Sequence, residues 1–415
     1  MPEKQLLFDL GSYGHHPSYL RCIIEYFNQQ SWDFELEIVV SRHFFQRHSD
    51  VVELAKKAQV NCIAITETEQ EQFDTAKSKL GVKFFDLLQS QKSNSGFEIE
   101  FDLFRHYAEV LNVDHAIILY LDDGRLLNAA KADFPCPFSG IYFTPQFHYP
   151  KFPEHPPDKI RQAYYLQQKL IIARFLRHAQ LDTLFCLDPF ATEEMNRQNK
   201  TDKVVFLPDL VRKQKSEVST ITHLNIDTER QVFLLFGSLG KRKGIYEILQ
   251  AILLLSPELC QQICLLVVGQ AEPNTDINLL KSRVNLVREQ KPVQIIEKYE
   301  FIPDQEVLSY FKLADVILTA YPRHAGMSGI LFLAAISGKP VLSSNFGLMG
   351  EITRRYQLGL TVDAVVPKAI AEALQHCLKT APESLCNYHK MQQLVEEHSP
   401  ENFAQMLLNK YFKSK

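Results

Sequence analysis

Short apolar runs alternate with longer amphipathic ones along the chain: QLLFDL, LEIVV, NCIAI, HAIILYL, SGIYF, TLFCL and KVVFL, then VFLLFGSL, ICLLVVG, VQIIEKY, DVILTAY and PVLSS. Near-continuous apolar runs of this length predict strands buried on both faces, as in parallel sheets with helices packed above and below. Between them the apolar spacing becomes helical. HPSYLRCIIEYFNQQ, IEFDLFRHYAEVL and PDKIRQAYYLQQKLIIARFLRHA predict helices in the first series, with Pro157 and Asp158 suited to a helix start. The second series predicts a helix from Gly244, one around Ile277–Glu289, DQEVLSYFKLA, and one inside HAGMSGILFLAAISGKPVLSS. That last stretch, His324–Ser344, has no Lys, Arg, Asp or Glu before Lys339. The tail predicts two more helices, ESLCNYHKMQQLVEEH and PENFAQMLLNKYF, with a break and restart at Ser399-Pro400. Alternating strand and helix patterns of this kind predict an α/β protein.

The two series are separated by Val211–Thr220, a polar, charged stretch short of large apolar residues. The expected organisation is a first Rossmann-like domain over 1–210, a linker over 211–220, a second Rossmann-like domain over 221–395 and a final helix over 396–415. A chain of 415 residues, 46% hydrophobic and 23% charged, supports two cores rather than one. The net charge of −4 and pI near 6.4 disfavour a dedicated nucleic-acid binder. The first residues show no long apolar signal, and no stretch approaches the roughly 20 apolar residues that cross a bilayer. The expectation is a cytoplasmic protein, with contact at the inner face of a membrane left open. Eight scattered cysteines, the closest pair in LCQQIC, lack zinc-ligand spacing and are expected to be reduced, mostly buried thiols.

Candidate chemistry sits where strands give way to helices. In DLGSYGHHP, Gly11 and Gly14 permit close backbone approaches before a helix start, and His15 and His16 follow. The loop is not G-x-G-x-x-G, so a nicotinamide-dependent oxidoreductase is disfavoured. The alternative for this loop is a tight turn with two exposed histidines. FGSLGKRKGIY repeats the geometry and adds Lys241, Arg242 and Lys243, a donor set suited to a diphosphate; the alternative is a solvated basic turn. Gly326, Ser328 and Gly329 open an apolar helix, offering N–H groups and a hydroxyl to an anion; the alternative is a core helix with a glycine-rich start. Asp122-Asp123-Gly124 puts two carboxylates at a strand end, as an acid/base pair or as a turn. His148, in GIYFTPQFHY, is either a site imidazole or a surface histidine in a proline-rich loop.

FGSLGKRKGIYEILQAI, followed by ICLLVVG, ADVILTAY and GMSGILFLAAISGKPVLSSNFGLMGEI, resembles the C-terminal half of glycosyltransferase family 4 and its relatives. The resemblance covers Gln231 to Asp363 well and the first half in outline. It implies the GT-B fold, with two Rossmann-like domains facing across a cleft and the last helix returning to the first domain. It further implies a nucleoside diphosphate sugar held by the second domain, an acceptor met by the first, retention, no cofactor and no essential metal. The acceptor is left open among a glycan, a lipid-linked molecule and a small molecule. Lys243 matches the family's donor-phosphate lysine. The arginine that relatives carry five residues earlier is Ser238 here, and Arg242 is the substitute cation. His148 resembles the family's site histidine. Relatives also carry two glutamates separated by seven residues, which meet the donor sugar and the ribose; here these positions are Ala325 and Leu333.

The resulting site expectation has His148, Asp122 and His15 as catalytic groups. Ser238, Arg242, Lys243, Gly326, Ser328 and Gly329 surround the donor phosphates, Gly11, Gly14 and His16 form the acceptor or sugar loop, and no residue binds metal. It requires the loops Gly237–Gly244 and Gly326–Gly329 to converge. The rival is a catalytically silent GT-B protein that binds a nucleotide sugar as sensor or scaffold, for which the two missing glutamates speak.

Overall fold

The computed structural model describes residues 2–80, 95–152, 159–211 and 224–413. Most of the 211–220 linker and the Pro157-Asp158 helix start lie outside them. The chain divides into two compact units, one formed by Met1–His148, Asp158–Leu210 and Pro400–Lys415, the other by Tyr149–Pro157 and Val211–Ser399.

The first unit holds β1 (Glu3–Asp9), β2 (Phe34–Val40), β3 (Asn61–Ala64), β4 (His115–Leu121), β5 (Phe138–Tyr142), β6 (Leu181–Cys186) and β7 (Val204–Phe206). They form one parallel sheet in the order β3-β2-β1-β4-β5-β6-β7. Alternation along each strand builds two cores. Leu6 and Phe8 of β1 join Ala116 and Ile118 of β4 on one face, while Leu7 joins Ile117 and Leu119 on the other. The second of these faces is completed by the helix Pro400–Lys413, whose Phe403, Ala404, Leu407 and Leu408 are buried beside Tyr19, Leu20 and Leu207.

The second unit holds β8 (Gln231–Phe236), β9 (Ile263–Val268), β10 (Gln294–Lys298), β11 (Val316–Thr319), β12 (Val341–Ser344) and β13 (Gly359–Val362), parallel in the order β10-β9-β8-β11-β12-β13. The twelve apolar runs are all strands. β13 escapes the pattern because it is a four-residue, half-buried edge strand opened by Gly359, whose Cα lies so close to the Val341 backbone that a Cβ would overlap it. The boundary also differs at Tyr149–Pro157, which sequence leaves in the first domain. The Tyr149 ring is fully buried edge-on to Phe346 and over Gly347, and that packing places Tyr149 in the second unit.

All eight cysteines are outside any disulfide and six are buried. Among the described residues, no helix is long and apolar enough to cross a membrane.

Candidate functional site

In both sheets the strand order reverses beside the first strand, at β1/β4 and at β8/β11. Open parallel sheets bind ligands outside the carboxyl ends of the strands at such a point, because the connections there leave toward opposite faces and open a crevice. In the second unit, the connections after β8, β9 and β11 meet there.

The connection after β8 turns at Gly237 (φ 110°), passes a 3-10 turn over Lys241–Lys243, and enters the helix Ile245–Leu254 through Gly244 (φ 69°). Gly244 is required twice: its φ is left-handed, and a Cβ would overlap the Ala320 carbonyl at the end of β11. Lys243 is 3% exposed, and its ammonium donates to the Tyr321 hydroxyl at 2.7 Å. Burial, with the nearby Arg242 charge, pulls its pKa from 10.5 to about 7, with Glu272 partly opposing. Arg242 stays half-exposed, 3.5 Å from Glu272 and 5.8 Å from the centre of the Tyr321 ring.

The helix in the stretch that carries no charge is Gly329–Ile336. Ser328 caps it, accepting from Ile330 N–H at 3.4 Å. A Cβ on Gly237 would lie 3.2 Å from the Lys243 ammonium nitrogen and 3.8 Å from Ile330 Cδ1, so the cationic loop and the start of this helix converge there. Gly329 is exposed with open space around its Cα, so the helix start is accessible there. Gly326 departs from expectation: its N–H donates to the Tyr149 hydroxyl at 3.0 Å, which removes that amide from the set offered to a phosphate. His324, beside Tyr321, is pushed down to about 4 by burial and the Arg242 charge, so its imidazole is neutral at pH 7.

Tyr321, Tyr149 and His324 were not singled out by sequence. Tyr321 ends the run DVILTAY and His324 follows it, so position was their signal. Nothing local marks Tyr149, which reaches Gly326 across 177 positions.

In the first unit, the Asp9 carboxylate at the end of β1 is buried, accepts from Gly11 N–H at 2.9 Å and holds His16 Nδ1 at 2.7 Å. Gly11 has no Cβ because one would collide with the His16 ring. His15 stacks on His16 and Phe143, with Tyr19 and Tyr120 beside it. Burial and the neighbouring His16 lower its pKa to about 4, so it is neutral and weakly basic at pH 7. The two histidines thus face inward on aromatic rings, unlike an exposed turn.

Asp122 is committed differently from an acid/base carboxylate. It caps the helix Asp123–Ala129, accepting from Arg125 N–H at 2.9 Å, and pairs with the Arg125 guanidinium at 2.7 Å. Arg125 in turn lies 5.0 Å from the centre of the Tyr120 ring, which places Asp122 beside the histidine cluster. Asp123 accepts from Tyr142, Tyr164 and Gln168. His148 is not a surface histidine: it is 2% exposed, with Nε2 3.0 Å from the Asp188 carboxylate that caps the helix Pro189–Asn199. In this conformation its ring is enclosed. Among the described residues, no group of three or more His, Cys, Asp or Glu is arranged to hold a metal ion.

Two parallel sheets of this order, each with a glycine-bearing loop at its switch point, make two Rossmann-like units. The solved structures that the chain matches over nearly its whole length share this architecture, the GT-B fold. Residues 219–393 match the family described as glycosyl transferases group 1. The chain is similar in structure to a sucrose-phosphate synthase from Thermosynechococcus elongatus, with a TM-score of 0.66 and 16% identity over 99% of each chain. It is similar to Anabaena Alr3699/HepE, solved in complex with UDP and glucose, with a TM-score of 0.63 and 12% identity over 100% of each chain. A glycosyltransferase from Rickettsia africae gives a TM-score of 0.65 at 12% identity, over 99% of this chain and 98% of that one. No curated protein sequence matches the chain. The family match lies in the second half of the chain, and the solved structures, at 16% identity or less, show the fold.

Proposed function

We propose that this chain moves a sugar from a nucleoside diphosphate donor, bound by the second unit, to an acceptor met by the first. The observation that carries this reading is the approach of the Lys243 ammonium, held on the Tyr321 hydroxyl, to the helix start at Ile330 around Gly237. It brings a cation, a helix start and a hydroxyl to one point at the switch of a parallel sheet. Lys243 and Arg242 would offset the charge on the departing diphosphate, and the exposed start at Gly329 would hold its oxygens. The UDP bound by the Anabaena protein supports a nucleoside diphosphate as the ligand class. Transfer with retention and without an essential metal belongs to this proposal by resemblance. His16, oriented by Asp9, with His15 and the aromatic rings around it, would line the acceptor side, and a glycan, lipid-linked or small acceptor is compatible with that surface.

Assaying nucleoside diphosphate release from a panel of nucleotide sugars, with and without candidate acceptors, tests the proposal. Acceptor-dependent release that Lys243→Ala abolishes is the expected result. Tight donor binding with no release under any acceptor would instead favour a catalytically silent nucleotide-sugar binder. The specific observation on that side is that Ala325 and Leu333 stand where relatives carry carboxylates.

A further inference from the structure

A carboxylate stands at the cationic loop from an element that the resemblance does not use. Glu272 follows β9, at the same end of the sheet as Lys243. Main-chain bonds fix its place. Leu239 N–H donates to the Gln270 carbonyl at 2.8 Å, Glu272 N–H donates to the Leu239 carbonyl at 2.9 Å, and Leu239 bridges Ala271 in parallel register. The Thr275 hydroxyl reaches the same Leu239 carbonyl at 3.1 Å. The loops after β8 and β9 are thus zipped together independently of the Glu272 side chain.

That side chain lies over Gly240, where a Cβ would overlap the carboxylate. Its Oε1 is 3.4 Å from the Ser238 hydroxyl and 3.5 Å from the Arg242 guanidinium, and a third of the side chain is exposed. Such long contacts leave much of the carboxylate's accepting capacity unused. An anion inside a phosphate-binding loop repels the phosphate. It is useful there when it accepts from uncharged O–H groups that arrive with the phosphate.

This step rests on the donor-site reading above. In a nucleoside diphosphate sugar, the groups flanking the diphosphate are the ribose diol and the sugar hydroxyls. We propose that Glu272 accepts hydrogen bonds from vicinal hydroxyls of the donor, replacing the carboxylates absent at Ala325 and Leu333.

Calorimetric titration of the full chain with UDP, GDP and ADP selects the tightest nucleotide. That nucleotide, its 2′-deoxy form, its glucose conjugate, the matching 2-deoxyglucose conjugate and inorganic pyrophosphate are then titrated against wild type, Glu272→Gln and Gly240→Ala. The wild type should bind one deoxy form about tenfold more weakly than its parent, because a site built to accept from a hydroxyl rejects the analogue lacking it. Glu272→Gln, which keeps one neutral acceptor oxygen, should shrink that difference, and the arm in which it does so identifies ribose or sugar. Pyrophosphate should bind Glu272→Gln at least as well as wild type, since a negative charge has left the loop. Gly240→Ala, which displaces the carboxylate, should follow Glu272→Gln. Retention of both wild-type discriminations by Glu272→Gln overturns the inference, as does a parallel fall in pyrophosphate binding. Failure of the wild type to bind any of the nucleotides or pyrophosphate overturns the donor-site reading itself.

Discussion

Lys243 carries its amine into a nearly closed space against Tyr321, and the charge is what it gives up there: its pKa of about 7 leaves it close to half-protonated at neutral pH. A diphosphate restores the proton, because an adjacent anion favours the ammonium form. Nucleoside diphosphate binding should therefore take up protons above pH 7 and weaken as pH rises from 7 to 9. Titrations in buffers of different ionisation enthalpy measure that uptake directly, and binding with no proton exchange would contradict it. The stability sign is the usual one for a depressed lysine: the unfolded chain binds more protons between pH 7 and 10.5, so this residue's destabilising effect fades as pH rises through that window. Lys243→Met, which keeps volume and removes the buried amine, should lower nucleotide affinity about tenfold or more without lowering the thermal midpoint, the separation expected when a residue is kept for binding. The lysine was legible in RKG. Its lost charge was not, because burial depends on Tyr321 and on the end of β11, 78 positions away.

At the scale of elements, the glycine-bearing loops were legible because strand-to-helix turns need left-handed or crowded backbone positions, and Gly237, Gly244 and Gly326 all adopt positive φ. What those loops offer a ligand was less legible. Gly326 reads as a free amide in sequence, yet Tyr149 takes it. Tyr149→Phe keeps the ring and leaves that buried N–H without its acceptor, so it should cost about 1–2 kcal/mol in denaturant unfolding of the second unit. An unchanged midpoint would show that water or a loop shift satisfies the amide. Asp122 shows the same limit: a carboxylate before a glycine reads as chemistry or as a turn, and only its bonds to Arg125 show it working as a helix cap. The missing glutamates at Ala325 and Leu333 were plain in sequence, whereas Glu272, supplied by another connection, has no spacing that marks it.

At the scale of the whole molecule, the final helix belongs energetically to the first unit. Phe403 is fully buried and lies 4.5 Å, ring to ring, from Tyr19, whose hydroxyl donates to Asp209. Phe403→Ala should cost about 3–5 kcal/mol, as large-to-small changes in packed cores do. Hydrogen exchange should register the loss in β1, β2 and the helix His16–Asn28, with the second unit unchanged; protection lost equally in both units would contradict this assignment.

The sequence by itself determined the two parallel sheets, the position of every strand but β13, and the two loops at their switch points. Each of these follows from local hydrophobic period and glycine placement, which are properties of short segments. Only the tertiary structure decided that Tyr149 joins the second unit, that His148 is enclosed against Asp188, that Lys243 and the helix start at Ile330 meet around Gly237, and that Glu272 enters the cationic loop. Each of those depends on burial and contact between distant segments, and burial sets charge and hydrogen-bond supply. Chemistry at this site is therefore a property of packed surroundings rather than of any motif.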